Sequence, residues 1–476
     1  MPARKVGLPS DVPEALARGL VAIRVAMQVP DDFPPEVLAA AERAVAAPRL
    51  PELDRTDLAL VTIDPPGSRD LDQALHICRE PTGGFVVSYA IADVAAFVTA
   101  GDPVDLEAHR RGTTLYAPDH RTPLHPPALS EGSASLLADQ TRPALLWTVR
   151  LDEHGQTTDA TVARALVRSR EQLTYEQAQA EIDGGAAREA LALLKEVGLL
   201  REQRERERGG VSLQIPEQEI RPDGDSWALV LRAPLPVEGW NAQISLLTGM
   251  AAAHMMLYGQ VGLLRSMPPA DQGSLRKLRQ TAKALHIAWP AELDYPEFVR
   301  HLDPTVGAHA AMLNACTMLF RGAGYQAFSG GVPEEAEHAA LASDYAHVTA
   351  PLRRLVDRYT GEICVALCAG RVVPDWVLQA LDALPAEMAG ADRRAKKYER
   401  SIIDLVEVCL LSARVGETFA ATVIETDEKR DRGVVLVADP AVEARVDGDR
   451  LPLGQEIDVR LVSADFATGV VTFEVA

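Results

Sequence analysis

Residues 62–77 read TIDPPGSRDLDQALHI, and the reading of the fold turns on this stretch. The run leading into it, LALVTI at 58–63, is short, apolar and β-prone, and predicts a strand that delivers Asp64 at its end. Pro65-Pro66-Gly67 are turn formers that fold the chain back, so that Asp70 and Asp72 converge on the same point. Three carboxylates within nine residues at a strand end suit a hard divalent cation, because Mg²⁺ prefers oxygen ligands and keeps several of its waters. Such a cation lowers the pKa of a coordinated water and neutralises charge on phosphorus oxygens, chemistry that suits phosphodiester hydrolysis. For three aspartates taken alone, an acidic surface loop is an equally good reading.

Working outward, FVVSYAI at 85–91 follows the turn signal Gly83-Gly84 and reads as a second strand, with another at 147–151. Residues 171–210 read as helical and end in REQRERERGG, a solvated helix face with a glycine stop. Further helices are expected near 240–265, 272–286, 305–322, 351–370, 376–389 and 391–414. The body is thus β-rich early and helix-rich late, an α+β pattern with a mixed sheet packed by helices. Residues 244–264 carry no formal charge and are long enough to cross a bilayer, but polar residues such as Ser245, His254 and Gln260 interrupt them. They predict a helix buried in a large domain.

Residues 1–55 are rich in Pro and Ala, with helices expected at 12–27 and 34–46. They form a small helical N-terminal module, either of helix-turn-helix kind or an arm packed on the body. Residues 416–476 contain about five short strands broken by charged and Gly/Pro turns, which predicts a five-stranded OB-type β-barrel.

With 476 residues, 47% hydrophobic and 24% charged, the chain has a globular balance and length for several domains. Its net charge of −20 excludes a surface coated with nucleic acid; a polyanion must be met in a local basic groove or through metal ions. Five scattered cysteines without a CxxC pair argue against a zinc ribbon and a disulfide framework. Together with N-terminal residues that lack a signal-peptide stretch, they predict a cytoplasmic protein with no membrane partner, expected to be monomeric.

The string TIDPPGSRDLDQALHI, followed by FVVSYAIADVAAFV, resembles the catalytic signature of the ribonuclease II / ribonuclease R (RNB) family. Residues 344–358, DYAHVTAPLRRLVDR, resemble that family's Tyr-x-His-x-Thr-Ser-Pro-x-Arg-Arg segment, about 280 residues on and in the expected order. GTTLYAP at 112–118 resembles a third family segment, and residues 206–210 loosely a fourth. The likeness covers residues 56–415 as an RNB-type catalytic domain, and 416–476 is similar to the S1-type OB-fold RNA-binding domain that ends these proteins.

The resemblance implies a Mg²⁺-dependent, hydrolytic 3′→5′ exoribonuclease, with Mn²⁺ as a substitute ion, that degrades single-stranded RNA processively to nucleoside 5′-monophosphates. It implies metal-binding roles for Asp64, Asp70 and Asp72, with Asp72 tied most closely to the chemical step and Asp70 beside it. Gln73 stands where the family usually has a fourth aspartate. It offers one carbonyl oxygen to a cation but removes a negative charge. Arg353 matches an arginine on the scissile phosphate, Tyr116 a tyrosine that stacks on a base near the 3′ end, and Glu399 a glutamate near the terminal ribose. Arg354 is either a second phosphate contact or the ion-pair partner of Asp357, and His347 is a phosphate donor or a core histidine. Residues 416–476 hold six Lys/Arg against thirteen Asp/Glu, so RNA contact there falls to Lys429, Arg430, Arg432 and Arg445. Because of Gln73, a catalytically silent RNA-binding protein of the same fold is the rival expectation.

Overall fold

The computed structural model describes residues 14–81, 83–185, 187–213, 217–223, 226–232, 234–303, 306–320, 322–427, 431–437, 442–466 and 468–476. Strands β1 (Leu60–Asp64), β2 (Gln73–Arg79), β3 (Phe85–Ala92), β4 (Thr141–Leu151) and β5 (Thr157–Thr174) close into a barrel. All neighbours pair antiparallel except β5 with β1, whose parallel register sets Asp64 beside Thr174. Strands β1 and β3 and much of β4 read as near-continuous apolar runs because both of their faces are covered. Val61, Ile63, Leu75, Ile77, Tyr89 and Trp147 join one core cluster, while Leu60, Ala74, Ala90, Ala144 and Leu146 join another on the opposite face. Trp147 is completely buried, and truncating such a side chain costs about 3–5 kcal/mol.

Helices α1 (Glu14–Ala26), α2 (Pro35–Ala46), α3 (Pro103–Arg111), α4 (Glu189–Arg208), α5 (Pro236–Gly259), α6 (Leu355–Cys368) and α7 (Leu384–Leu411) complete the body, and all but α1 pack against this barrel. A second closed barrel follows, with strands β6 (Thr418–Asp427), β7 (Arg432–Val437), β8 (Val442–Asp447), β9 (Glu456–Asp465) and β10 (Val470–Val475) in the order β6-β7-β8-β10-β9. It is the expected OB-type barrel. Phe419 and Phe473 meet edge to face at 5.6 Å in its core, whereas Phe466 is exposed.

Several expected elements differ. Residues 171–174 complete β5 rather than begin a helix. That strand is rich in helix-favouring Ala and Arg, but Ala165, Val167 and Ser169 alternate inward between Arg164, Leu166 and Arg168, and pairing on both edges overrides propensity. Helix α5 stops at Gly259, because Gln260 adopts a left-handed φ of 55°. The expected continuation, Val261–Ser266, is a strand paired with Gly324–Ser329. The helix expected at 305–322 is Gly307–Cys316 followed by a 3₁₀ turn. The two helices expected at 376–389 and 391–414 are divided differently, into a short helix, Asp375–Ala380, and the single long α7. Among the described residues no helix is long and apolar enough to cross a membrane.

The N-terminal helices do not form a self-contained unit. In α1, Leu16 and Leu20 pack with Leu405 and Phe419, and a Cβ on Gly19 would lie 2.6 Å from a Leu405 methyl. In α2, Val37 and Ala41 pack instead with Leu60 and Leu352. The two helices are clamped to different parts of the body. Residues 12 and 13 of the first expected helix lie outside the described residues.

Candidate active site

The loop between β1 and β2 is pinned at several points. Ser68 donates to the Pro65 carbonyl to close the turn, and Gly67 takes a φ of 74° that favours glycine. Leu71 is fully buried; its N–H donates to Ser135 Oγ at 2.9 Å, and Ser135 Oγ donates to the Arg69 carbonyl at 2.6 Å. Gln172 on β5 donates to the Ser68 carbonyl at 2.8 Å. With Leu71 anchored in the core, the flanking Asp70 and Asp72 share the opposite side of an extended segment.

Asp72 meets the second signature there. Its Oδ1 accepts from the Leu352 N–H at 2.7 Å, and its Oδ2 lies 3.5 Å from Arg353 Nε. Burial lifts its pKa to about 8, against the pull of Arg353 and the Leu352 N–H, and Asp70 adds to the rise. Asp70 pairs with Arg121 and lies 3.4 Å from the Tyr116 hydroxyl. Burial also raises the Tyr116 phenol, and Arg353 opposes that rise. The 112–118 segment is stitched to the arginine segment: Thr113 Oγ1 and Thr114 N both donate to the Arg353 carbonyl, at 2.9 and 3.0 Å. Asp64, Asp70, Asp72, Tyr116 and Arg353 are thus gathered at one end of the barrel, where Tyr175, raised to about 12 by burial and next by Asp64, joins them.

The remaining expected residues are placed differently. Gln73 uses both ends of its amide: it donates to the Thr349 carbonyl at 2.5 Å and accepts from the Tyr89 hydroxyl at 2.8 Å. Arg354 forms a two-pronged pair with Asp357, at 2.9 and 2.8 Å. His347 Nδ1 lies 2.7 Å from the Tyr325 hydroxyl, and burial holds the imidazole far below its usual pKa. Glu399 is exposed on α7, one residue past the buried Tyr398. In the C-terminal barrel, Arg432 lies 3.8 Å from Asp427 and Arg445 is exposed, while Lys429 and Arg430 lie outside the described residues. Sequence reasoning missed Arg121, which lies in no motif, and gave no role to Tyr89, which lies within the FVVSYAI strand.

Among the described residues, no three His, Cys, Asp or Glu side chains are gathered as a metal centre. Asp70 and Asp72 each turn toward an arginine instead. The donor set still fits a hard cation of the kind held by one or two carboxylates, its own waters and substrate phosphates. The observation behind this is that Asp70 and Asp72 lie close enough for Asp70 to add to the burial-driven rise of the Asp72 pKa, so two carboxylates share one place.

Residues 53–368 match the RNB domain, and residues 417–476 match the RNase II-type exonuclease C-terminal S1 domain. The chain is 24% identical to ribonuclease R of Aquifex aeolicus over 512 residues, covering 99% of this chain and 69% of that one. It is 28% identical to the exosome complex exonuclease dis3 of Schizosaccharomyces pombe over 322 residues, or 64% of this chain. It spans only 33% of that relative's length. Among solved structures, the apo form of Mycoplasma genitalium RNase R superposes with a TM-score of 0.85 at 18% identity, over 97% of this chain and 78% of that one. A matched domain that contains both signatures, on the barrel that brings them together, places this chain in the RNB family of ribonucleases.

Proposed function

We propose that this chain is a 3′→5′ exoribonuclease that hydrolyses single-stranded RNA to nucleoside 5′-monophosphates. RNB nucleases depend on divalent metal as a class, and we infer Mg²⁺ here, with Mn²⁺ able to replace it. The observation that carries this reading is the meeting of Asp72 and Arg353, 281 positions apart in sequence, beside Asp70 and Tyr116. Asp70 and Asp72 would hold the cation with its waters, and the cation would supply an activated water and charge neutralisation at phosphorus. The Arg353 guanidinium would steady the growing negative charge on the phosphate oxygens, and its site next to Asp72 keeps it aimed there. Tyr116 would stack on a base, an interaction worth about 1–3 kcal/mol that tolerates any sequence. Glu399 would lie along the path of the terminal ribose. Leu71, Ser135 and Gln172 keep the loop rigid, so the two carboxylates need not be reordered when substrate arrives. All five cysteines are free thiols, which fits work in the reducing cytoplasm.

Gln73 favours a second reading. An uncharged amide already hydrogen-bonded at both ends is a weaker cation ligand than the aspartate it replaces, so a protein that binds RNA without cutting it is the alternative. Linear and circular RNA of one sequence separate these readings, with products identified by mass. Loss of the linear form, survival of the circle and release of 5′-monophosphates support the exonuclease. Cleavage of the circle would overturn it, and binding of both forms without any product supports the silent reading.

A further inference from the structure

Arg121 brings a permanent positive charge to the carboxylates that are to hold a cation. It sits on a short hairpin in which Leu115–Tyr116 pairs with Arg121–Thr122, Tyr116 directly opposite Arg121. That hairpin takes both oxygens of Asp70: Arg121 Nη1 pairs with Oδ1, and the Tyr116 hydroxyl approaches Oδ2 at 3.4 Å. The other guanidinium nitrogen, Nη2, pairs with Glu131. Glu131 lies on the single π-helical turn Leu129–Ser133, and its second oxygen is 4.0 Å from Arg69. One arginine is therefore forked between a carboxylate of the candidate site and a carboxylate outside it, with only a fifth of its side chain exposed.

We propose that Arg121 is a positioning residue that competes with the divalent cation for Asp70, with Glu131 as the partner that holds it once Asp70 is released. This rests on the reading of Asp70 as a cation ligand. The argument is one of occupancy and charge. A guanidinium cannot be deprotonated in a protein, so it cannot leave Asp70 by losing its proton. It and a divalent cation cannot share the same oxygen, and as like charges they repel. The apparent affinity for the cation is then the intrinsic affinity reduced by the fraction of molecules in which Asp70 is free. Glu131 raises that fraction, because it gives the displaced guanidinium somewhere to stay. The site would thus need more cation than its carboxylates alone demand.

The two flanking substitutions carry opposite signs. Binding of Mn²⁺ to the full chain, without RNA, is read by electron paramagnetic resonance. Arg121→Met should tighten binding by up to about fivefold, because a partly exposed ion pair of up to about 1 kcal/mol no longer opposes it. Glu131→Gln should weaken it, because Arg121 is left with Asp70 as its nearer carboxylate. Arg121→Lys keeps the charge and should stay nearer wild type than Arg121→Met. In an Asp70→Asn background, Arg121→Met should change nothing. A purely structural Arg121 would lower the melting temperature of its variants without separating them in Mn²⁺ affinity, and that result overturns the proposal. So do shifts of the same sign in Arg121→Met and Glu131→Gln, when wild type binds. A wild-type chain that binds no Mn²⁺ overturns the reading of Asp70 itself, and the proposal with it.

Discussion

Asp357→Ala removes one carboxylate that satisfies three donors. Asp357 is 1% exposed. It accepts from Arg354 through Nε at 2.9 Å and Nη2 at 2.8 Å, and from the Ala350 N–H at 2.6 Å. The alanine variant strands a guanidinium whose side chain is only 21% exposed, together with a buried backbone N–H. Removing one partner of a buried pair costs about 3–5 kcal/mol, because the other charge is left uncompensated. At about 2.1 cal/mol/K of unfolding entropy per residue, a body this large shifts by about 1–1.5 °C per kcal/mol, so melting should fall by roughly 5 °C. The double variant Arg354→Met/Asp357→Leu removes both charges and should recover most of that loss. It also decides what Arg354 is for: an ion-pair arginine can be replaced this way with RNA affinity kept, whereas a phosphate contact cannot. Thermal melts of the three variants, with RNA binding measured on the double variant, are the assay. An Asp357→Ala protein that melts within about 2 °C of wild type would refute the reasoning.

In metal-free protein, Asp72 should make stability fall as pH rises. Its native pKa is about 8 and its unfolded value 3.8, so between these the native state holds the extra proton. At about 1.4 kcal/mol per unit the ceiling is about 6 kcal/mol. Denaturant melts in EDTA should show Asp72→Asn more stable than wild type at pH 8, with the gap closing toward pH 4; the reverse ordering sinks the claim. Gly249→Ala places a methyl 2.6 Å from the Ala346 carbonyl oxygen and closer still to the Tyr345 ring, so it should destabilise by about 1–3 kcal/mol despite the better helix former. Gly390→Ala on α7 meets nothing nearer than 4.0 Å and should stabilise by up to about 1 kcal/mol, so thermal melts should move in opposite directions. Gln73→Asp breaks the bridge from Tyr89 to Thr349 and adds a buried charge. It should lower stability in EDTA and raise Mn²⁺ affinity, measured by calorimetry.

What was legible in the sequence follows from where its signals are local. The apolar runs at 60–64 and 85–92 and the turn-broken barrel at 416–476 announce themselves within a few residues. The aspartate loop does too, since turn chemistry and spacing are local properties. Strand β5 was hidden because its Ala and Arg content favours helix, and only pairing with β4 and β1 makes it a strand. Helix α5 was overextended because the uncharged apolar run 244–264 continues past Gly259, and the left-handed turn falls on Gln260, which is not itself a usual stop residue. In the site, Gln73 bonds partners 16 and 276 positions away, and no pattern in the chain records such a bridge. Arg121 and Glu131 were missed for the same reason: neither falls in a recognisable motif, and only folding brings them to Asp70.

The central claim is that the carboxylate loop and the arginine segment form one hydrolytic site acting from the 3′ end. Single-stranded RNA labelled at its 5′ end, incubated with the chain and with Asp72→Asn in Mg²⁺ or Mn²⁺, tests it most directly. The account predicts a ladder that shortens from the 3′ end with wild type and intact RNA with the variant. Intact RNA with both proteins, bound but uncut under either metal, would contradict it.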